Sequence, residues 1–118
     1  RMPASVSLVQ RMRLSAEFNV QFPGMVSLFT EMLAKSVELG DGPAREFFTA
    51  RFARPRLELA AELRGQLAAL PEGRRAEAAM LVDLIMPASD GLQVRWLLDP
   101  SVDVAATLGL LERLGRDG

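Results

Sequence analysis

The sequence contains no cysteine, no histidine and no tyrosine. Without cysteine the chain has neither a disulfide nor a thiolate nucleophile. Without histidine it has neither the usual proton shuttle nor the commonest transition-metal ligand. These absences exclude zinc, haem and triad chemistry from the expected functions. We therefore expect no catalysis, no metal ion and no other cofactor.

An excess of charge of one sign is missing as well. The 14 lysines and arginines are balanced by 15 acidic residues, which leaves a formal net charge of −1. Because nucleic-acid binding depends on clustered basic side chains, this chain is not expected to bind DNA unaided. Apolar runs fall far short of the roughly 20 residues of a membrane span, and the first residues lack the apolar region of a secretory signal. The sequence predicts a cytoplasmic protein with no membrane association.

The composition that remains is that of one ordinary globular domain. The chain has 118 residues, of which 49% are hydrophobic and 25% charged, enough to form a single core. Apolar residues recur every three or four positions and nowhere alternate, so the fold class is predicted to be all-α, with one domain over residues 1–118. We predict five helices, over residues 6–20, 23–39, 43–70, 74–98 and 102–114. Proline is expected to open the second and third helices and to kink the third at Pro55 and the fourth near Pro87.

The last two helices carry more apolar residues than one buried face requires. In the final helix Val104, Leu108 and Leu111 form one stripe, and a second stripe lies beside it. Because a small domain offers little core to cover such a helix, this pattern predicts a homodimer. The alternative is that these residues face the other helices of the same chain. The residues predicted at the dimer interface are Leu81, Leu84, Ala88, Gly91, Leu92, Arg95, Val104, Leu108 and Leu111.

Phenylalanine and methionine are concentrated in the first three helices and at the start of the fourth. Both residue types line adaptable apolar cavities, although each of them can equally fill a core. The residues predicted to bind a small apolar or amphiphilic ligand are Met12, Phe18, Met25, Phe29, Phe48, Arg51, Phe52, Met80 and Met86. Polar contacts to this ligand are expected from Gln10, Arg13 or Arg51.

No arrangement in the sequence requires catalytic chemistry. Glu17 follows Arg13 by one helical turn, and Glu62 follows Glu58 in the same way, which is typical of solvated helix faces. A carboxylate hydrolase would need two acids that face each other across a cleft. No glycine-rich phosphate loop follows a predicted strand, so nucleotide binding is not expected either.

Three stretches of the chain share a resemblance. The segment from Ala88 to Asp103 reads ASDGLQVRWLLDPSVD, with a D-G-L motif that leads into a leucine pair and a D-P turn before the last helix. Phe22 to Met25 reads FPGM, and Glu46 to Arg54 reads EFFTARFAR. In order and spacing these stretches resemble the C-terminal regulatory domain of TetR-family transcriptional regulators. Phe22 stands where that family often has histidine.

The resemblance implies an all-helical effector-binding domain. It implies that the last two helices pair with those of a second copy as a four-helix bundle, and that a pocket lies among the earlier helices and the first part of the penultimate helix. In such repressors the ligand alters the spacing of two N-terminal helix-turn-helix domains and so releases DNA. That DNA-binding domain is missing from this sequence. The alternative is a stand-alone helical interaction module with no cavity, and a cavity lined by Phe29, Phe48 and Met80 would separate the two.

Overall fold

The computed structural model describes residues 4–62 and 71–117, which form five α-helices and, within those ranges, no strand. The all-α fold class is therefore confirmed. The helices are α1 (Ala4–Asn19), α2 (Pro23–Leu39), α3 (Pro43–Glu62), α4 (Glu72–Leu98) and α5 (Val104–Asp117). The predicted continuation of the third helix over residues 63–70 lies outside the described residues.

Helix boundaries occur at residues whose backbone or side chain favours them. Pro23 and Pro43 are the first residues of α2 and α3, where a missing N–H costs no helical hydrogen bond. Gly40 ends α2 with φ +82°, a left-handed conformation that glycine adopts without steric cost. Asp103 caps α5 through its Oδ1 atom, which accepts a hydrogen bond from the backbone N–H of Ala106 at 2.9 Å.

The turn before α5 is held by its own polar groups. The backbone N–H and the hydroxyl of Ser101 both donate to Oδ1 of Asp99, at 3.1 and 2.7 Å. The hydroxyl contact is the main reason that the pKa of the Asp99 carboxyl lies below its usual value. Asp103 thus caps the last helix, and Ser101 stabilises the turn before it.

The core forms where α1 packs between α4 and α5. One cluster joins Leu8 and Val9 of α1 to Val82 and Ile85 of α4. A second cluster joins Ala16 of α1 to α5, and its α5 members are Val104 and Leu108. Ala16 is fully buried, which reflects close packing of α1 against its neighbours. The first helix thus covers the apolar face of the last one.

The prediction that Val104 and Leu108 lie at a dimer interface is therefore wrong. Their side chains are 3% and 2% exposed within a single chain, because the apolar stripe of α1 covers them. Leu92 and Leu111 are partly buried against the same two clusters. Other interface candidates face outward: Leu81, Leu84, Gly91 and Arg95 are exposed, and Ala88 is half-buried.

The two interior prolines do not end their helices. Both α3 and α4 continue through Pro55 and Pro87, and Pro55 is buried while Pro87 is exposed. In the described part of the chain, no helix combines the length and the apolar character that crossing a membrane requires.

Candidate ligand-binding site

A cavity of about 270 Å³ lies where α1, α2, α3 and α4 meet. We name it the first cavity. The residues that line it are Ser15, Asn19, Met25, Val26, Phe29, Thr30, Leu33, Arg51, Asp90, Gln93 and Val94. The apolar members come mostly from α2, whereas α1, α3 and α4 supply most of the polar ones. Met25 is 43% exposed, so the cavity reaches solvent at that side.

An aromatic cluster holds α2 against α3 behind one wall of the first cavity. The ring of Phe29 lies 5.0 Å from that of Phe48 and 6.4 Å from that of Phe47, both in edge-on orientations. Phe48 is buried and also contacts Phe52. Edge-to-face ring pairs at these distances stabilise beyond the apolar area they bury. Phe29 therefore presents a fixed surface to the cavity.

An ion pair between α3 and α4 lies in the same wall. Nη2 of Arg51 is 2.9 Å from Oδ1 of Asp90, and the two side chains are 19% and 12% exposed. The guanidinium of Arg51 lies 4.5 Å from the centre of the Phe29 ring, which adds a cation–π contact. Nε of Arg51 and Oδ2 of Asp90 are buried and have no hydrogen-bond partner among the described residues.

A chain of amide contacts forms another wall. Nδ2 of Asn19 donates to Oε1 of Gln93 at 3.1 Å, and Nε2 of Gln93 donates to the hydroxyl of Ser89 at 3.1 Å. Gln93 and Ser89 are 6% and 2% exposed. Because both polar groups of Gln93 are satisfied, this network fixes α1 against α4 and leaves the side chain little freedom to turn toward a ligand.

A second cavity of about 230 Å³ lies between α1, α3 and α4. Its lining residues are Leu8, Arg11, Met12, Ser15, Arg51, Arg54, Pro55, Glu58, Ile85 and Met86. Ser15 and Arg51 therefore line both cavities. The second cavity carries three arginines and one glutamate, Glu58, which pairs with Arg11 at 3.5 Å. Its charge is positive, whereas the charges of the first cavity cancel.

The predicted ligand-binding residues divide between these two spaces. Met25, Phe29 and Arg51 line the first cavity, and Met12, Met86 and Arg51 line the second. Phe48 lines neither but supports Phe29. The structure thus brings most of the predicted set to the same region of the fold.

Phe18, Phe52 and Met80 are corrections to that set, since none of them lines either cavity. Of the three residues expected to line the cavity that separates the two candidate functions, only Phe29 lines one of these cavities. Phe18 is 56% exposed and contacts Phe22 at the surface, because it lies two residues from buried Ala16 and so faces away from the core. Met80 is 59% exposed on the outer face of α4. Phe52 is half-buried beside Phe48.

The polar groups expected to contact a ligand are Gln10, Arg13 and Arg51, and only Arg51 lines either cavity. Arg13 binds Glu112 at 2.8 Å and Glu17 at 2.7 Å instead. The hydrogen bond that Arg13 donates to Glu112, followed by the one it donates to Glu17, raises the pKa of Arg13. Glu58 forms an ion pair with Arg11 at 3.5 Å.

Sequence reasoning missed the polar residues of α4. The sequence motifs include Asp90 and Gln93, but the predicted ligand-binding set contains neither residue. One signal was available: Met86, Ser89, Asp90 and Gln93 share one face of α4 at helical spacing, so polar groups interrupt its buried side. Polar residues on a buried helix face need partners, and such positions often mark a site.

One outward face of α4 is mostly apolar. We name it the α4 outer stripe and define it as Leu81, Leu84, Ala88, Gly91, Arg95 and Leu98. Their spacing alternates between three and four residues, the spacing at which helices pair in bundles. Leu84 and Leu98 are 62% and 82% exposed. An added Cβ at Gly91 would meet nothing within 4 Å in the single chain, so this position leaves open space for another helix.

The chemistry available at the first cavity is non-covalent recognition. It offers apolar contact, one ion pair and a few hydrogen-bonding groups. In residues 4–62 and 71–117, no group of three or more acidic side chains is arranged to hold a metal ion. Comparisons of the chain with protein-family models, curated proteins and solved structures gave no match.

Proposed function

We propose that this chain is the regulatory domain of a TetR-type transcriptional repressor. It binds a small, largely apolar effector, forms a homodimer and controls DNA binding by a helix-turn-helix domain that lies outside this sequence. The first cavity is the observation that carries the proposal, and the sequence motifs that resemble the family supply its regulatory context.

The size of the first cavity sets the size of the effector. Dry protein cavities of about 150 Å³ bind benzene, and pockets for drug-sized molecules begin near about 300 Å³. A volume of about 270 Å³ lies close to the lower end of that range. In proportion to the benzene case, the effector therefore has on the order of ten non-hydrogen atoms.

The position of the cavity supports a regulatory role. Asp90, Gln93 and Val94 of α4 line it, and the α4 outer stripe lies on the same stretch of this helix. A ligand that binds more tightly to one position of α4 therefore also favours one arrangement of a partner that packs on the α4 outer stripe. Coupling between a ligand and an interface requires such a shared element.

The α4 outer stripe supports the homodimer. A row of exposed leucines with a glycine at its centre is the surface expected of two helices that pair closely about a two-fold axis. In this proposal Leu81, Leu84, Ala88, Gly91 and Arg95 form the interface, and α5 contributes its exposed Leu110 in place of Val104 and Leu108.

A stand-alone interaction module is the second candidate function. The observation in its favour is a further set of exposed apolar residues on α1, on α2 and in the turn between them. Its residues are Phe18, Phe22, Met25, Leu28 and Met32, each at least 42% exposed. A module of this kind would bind its partner through that surface, and its affinity for the partner would not depend on the volume of the first cavity.

A cavity-filling substitution tests the proposed function. Val94→Phe adds a ring to the wall of the first cavity, and the matched variant Val37→Phe adds the same ring at a side chain that is 71% exposed. The probes are propylbenzene, 4-propylphenol and 1-nonanol, measured by isothermal titration calorimetry. We expect at least one probe to bind the unmodified chain and to bind Val94→Phe about tenfold or more weakly, since the ring occupies the probe's space.

Val37→Phe is expected to bind the same probe with unchanged affinity. The proposed effector site is wrong if none of the probes binds, or if Val94→Phe binds as well as Val37→Phe does. In either case the interaction module becomes the better account of the chain.

A further inference from the structure

The inner side of the second cavity is apolar. Leu8 of α1 and Ile85 and Met86 of α4 line it and are 2%, 5% and 6% exposed. Pro55 of α3 lines it and is also buried, and Met12 of α1 is half-buried. A hydrocarbon group that lies against these side chains is removed from water, and this favours its binding.

The outer side of the second cavity is charged and mostly basic. The side chains of Arg11 and Glu58 are 50% and 40% exposed, and Arg54 is exposed as well. Arg54 follows Arg51 by three residues and precedes Glu58 by four, so these three share one face of α3. The charged groups of the cavity thus lie toward solvent and its apolar groups toward the core.

Two of the three arginines already have a carboxylate partner. Arg51 pairs with Asp90 at 2.9 Å, and Arg11 pairs with Glu58 at 3.5 Å. Arg54 forms no ion pair within the part of the chain that the structure describes. One positive charge therefore remains without a partner at the outer side. Its attraction for an anion acts over several ångströms and requires no single fixed contact.

The two sides of the second cavity together favour one kind of ligand. Inorganic phosphate has no apolar part to lie against the inner side, and a neutral hydrocarbon gains nothing from the charge of Arg54. A cation would be repelled by it. A molecule with a hydrocarbon body and one carboxylate gains from both sides.

From these observations we infer that the second cavity is a separate binding site for a small amphiphilic carboxylate. The hydrocarbon body packs against Leu8, Ile85 and Met86, and the carboxylate lies at the outer side with Arg54. In proportion to the benzene case, a volume of about 230 Å³ takes on the order of nine non-hydrogen atoms, the size of benzoate. This inference goes beyond the proposed function, because it adds a second site for a different class of molecule.

Four probes test it: benzoate, its neutral counterpart benzamide, acetate and inorganic phosphate. Titration near neutral pH, where benzoate is ionised, is followed in ¹H–¹⁵N NMR spectra of the unmodified chain. We expect benzoate to bind at least about fivefold more tightly than each of the others, since each lacks either the negative charge or the hydrocarbon body. The amide signals that shift should be those of Leu8, Arg54 and Met86, and not that of Thr30 in the first cavity.

Variants at the outer side are expected to change the affinity for benzoate in opposite directions. Arg54→Gln removes the unpaired charge and should weaken benzoate about fivefold or more without changing the affinity for benzamide. Glu58→Gln removes the negative charge that lies beside Arg11 and should strengthen benzoate about threefold. The matched control is Arg45→Gln, which changes the net charge equally at an exposed position of α3 that lines neither cavity. It should bind benzoate as the unmodified chain does.

The NMR spectrum of each variant also reports whether it is folded, and none of these substitutions removes a buried side chain. Failure of benzoate to bind, equal binding of benzoate and benzamide, or equal affinity for benzoate in Arg54→Gln and Arg45→Gln overturns this inference. Shifts confined to residues of the first cavity overturn it as well.

Val94→Phe distinguishes this inference from the proposed function. That variant narrows the first cavity only, so benzoate should bind it as tightly as it binds the unmodified chain. A loss of benzoate binding in Val94→Phe contradicts a separate site. Binding of benzoate without binding of any neutral probe in the first cavity supports this inference and contradicts the proposed effector site.

Discussion

At the scale of single residues, the burial of a charge decides how much its partner matters. Arg13 forms ion pairs with two glutamates that differ in burial. The Glu112 side chain is 8% exposed, and the Glu17 side chain is 38% exposed. The contact to Glu112 is also the larger cause of the raised pKa of Arg13. Arg13 thus serves mainly to balance a buried carboxylate on α5.

Arg13→Leu should lower the free energy of unfolding by about 2 kcal/mol, because it leaves Glu112 buried without its cation. Urea denaturation followed by circular dichroism measures this. The control Glu17→Gln removes only the exposed contact and should cost less than about 0.5 kcal/mol. If the two variants lose the same stability, the assignment of Glu112 as the important partner is wrong.

Of the two contacts of Arg13, the one to Glu17 can be predicted from the sequence and the one to Glu112 cannot. Arg13 and Glu17 are one helical turn apart, so their contact follows from helix geometry. Arg13 and Glu112 are 99 residues apart, and Arg51 and Asp90 are 39 apart. Such pairs depend on how helices pack, which a periodic pattern does not encode. For this reason Arg51 was predicted at the site and Asp90 was not.

At the scale of helices, proline, glycine and aspartate mark the boundaries. The predicted start and end of α2 match the structure, since Pro23 opens the helix and Gly40 ends it. The ends of α5 were less predictable, because Ser101 and Asp103 are both suitable capping residues. The apolar surface of α5 was assigned to a partner chain because the sequence alone does not show that α1 packs on it.

Pro87 is the proline whose replacement should stabilise its helix. It lies inside α4 and its side chain is exposed, so Pro87→Ala restores a backbone donor without opening a cavity. We expect the free energy of unfolding to rise by about 1 to 2 kcal/mol, somewhat less than the full propensity difference. Urea denaturation measures this as well.

The matched control for that substitution is Pro43→Ala. Pro43 begins α3, where proline removes no interior hydrogen bond, and its replacement should change stability by less than about 0.5 kcal/mol. A gain of equal size in both variants would mean that the effect does not come from the interior hydrogen bond restored in α4.

At the scale of the whole molecule, exposure separates the leucines that hold the chain together from those available to a second copy. Leu108 is 2% exposed, whereas Leu84 is 62% exposed and lies in the α4 outer stripe. A charge at Leu108 would unfold the chain and would report nothing about association. A charge at Leu84 leaves the core intact and is the informative change.

Leu84→Glu should convert the proposed dimer to a monomer at tens of micromolar, because two like charges would meet across a two-fold axis. Sedimentation equilibrium measures this. Leu57→Glu is the matched control, since Leu57 is 69% exposed on α3 and lies outside the stripe; it should remain dimeric. A monomeric unmodified chain, or a dimeric Leu84→Glu, contradicts this interface.

The shared wall between the two cavities has a consequence for thermodynamic linkage. Arg51 borders both spaces, so any molecule that shifts its guanidinium toward one cavity takes room from the other. Binding in one cavity would then weaken binding in the other. By thermodynamic linkage, each bound molecule lowers the affinity for the other by the same factor. One side chain would thereby make the affinity of the first cavity depend on the concentration of a molecule that binds in the second.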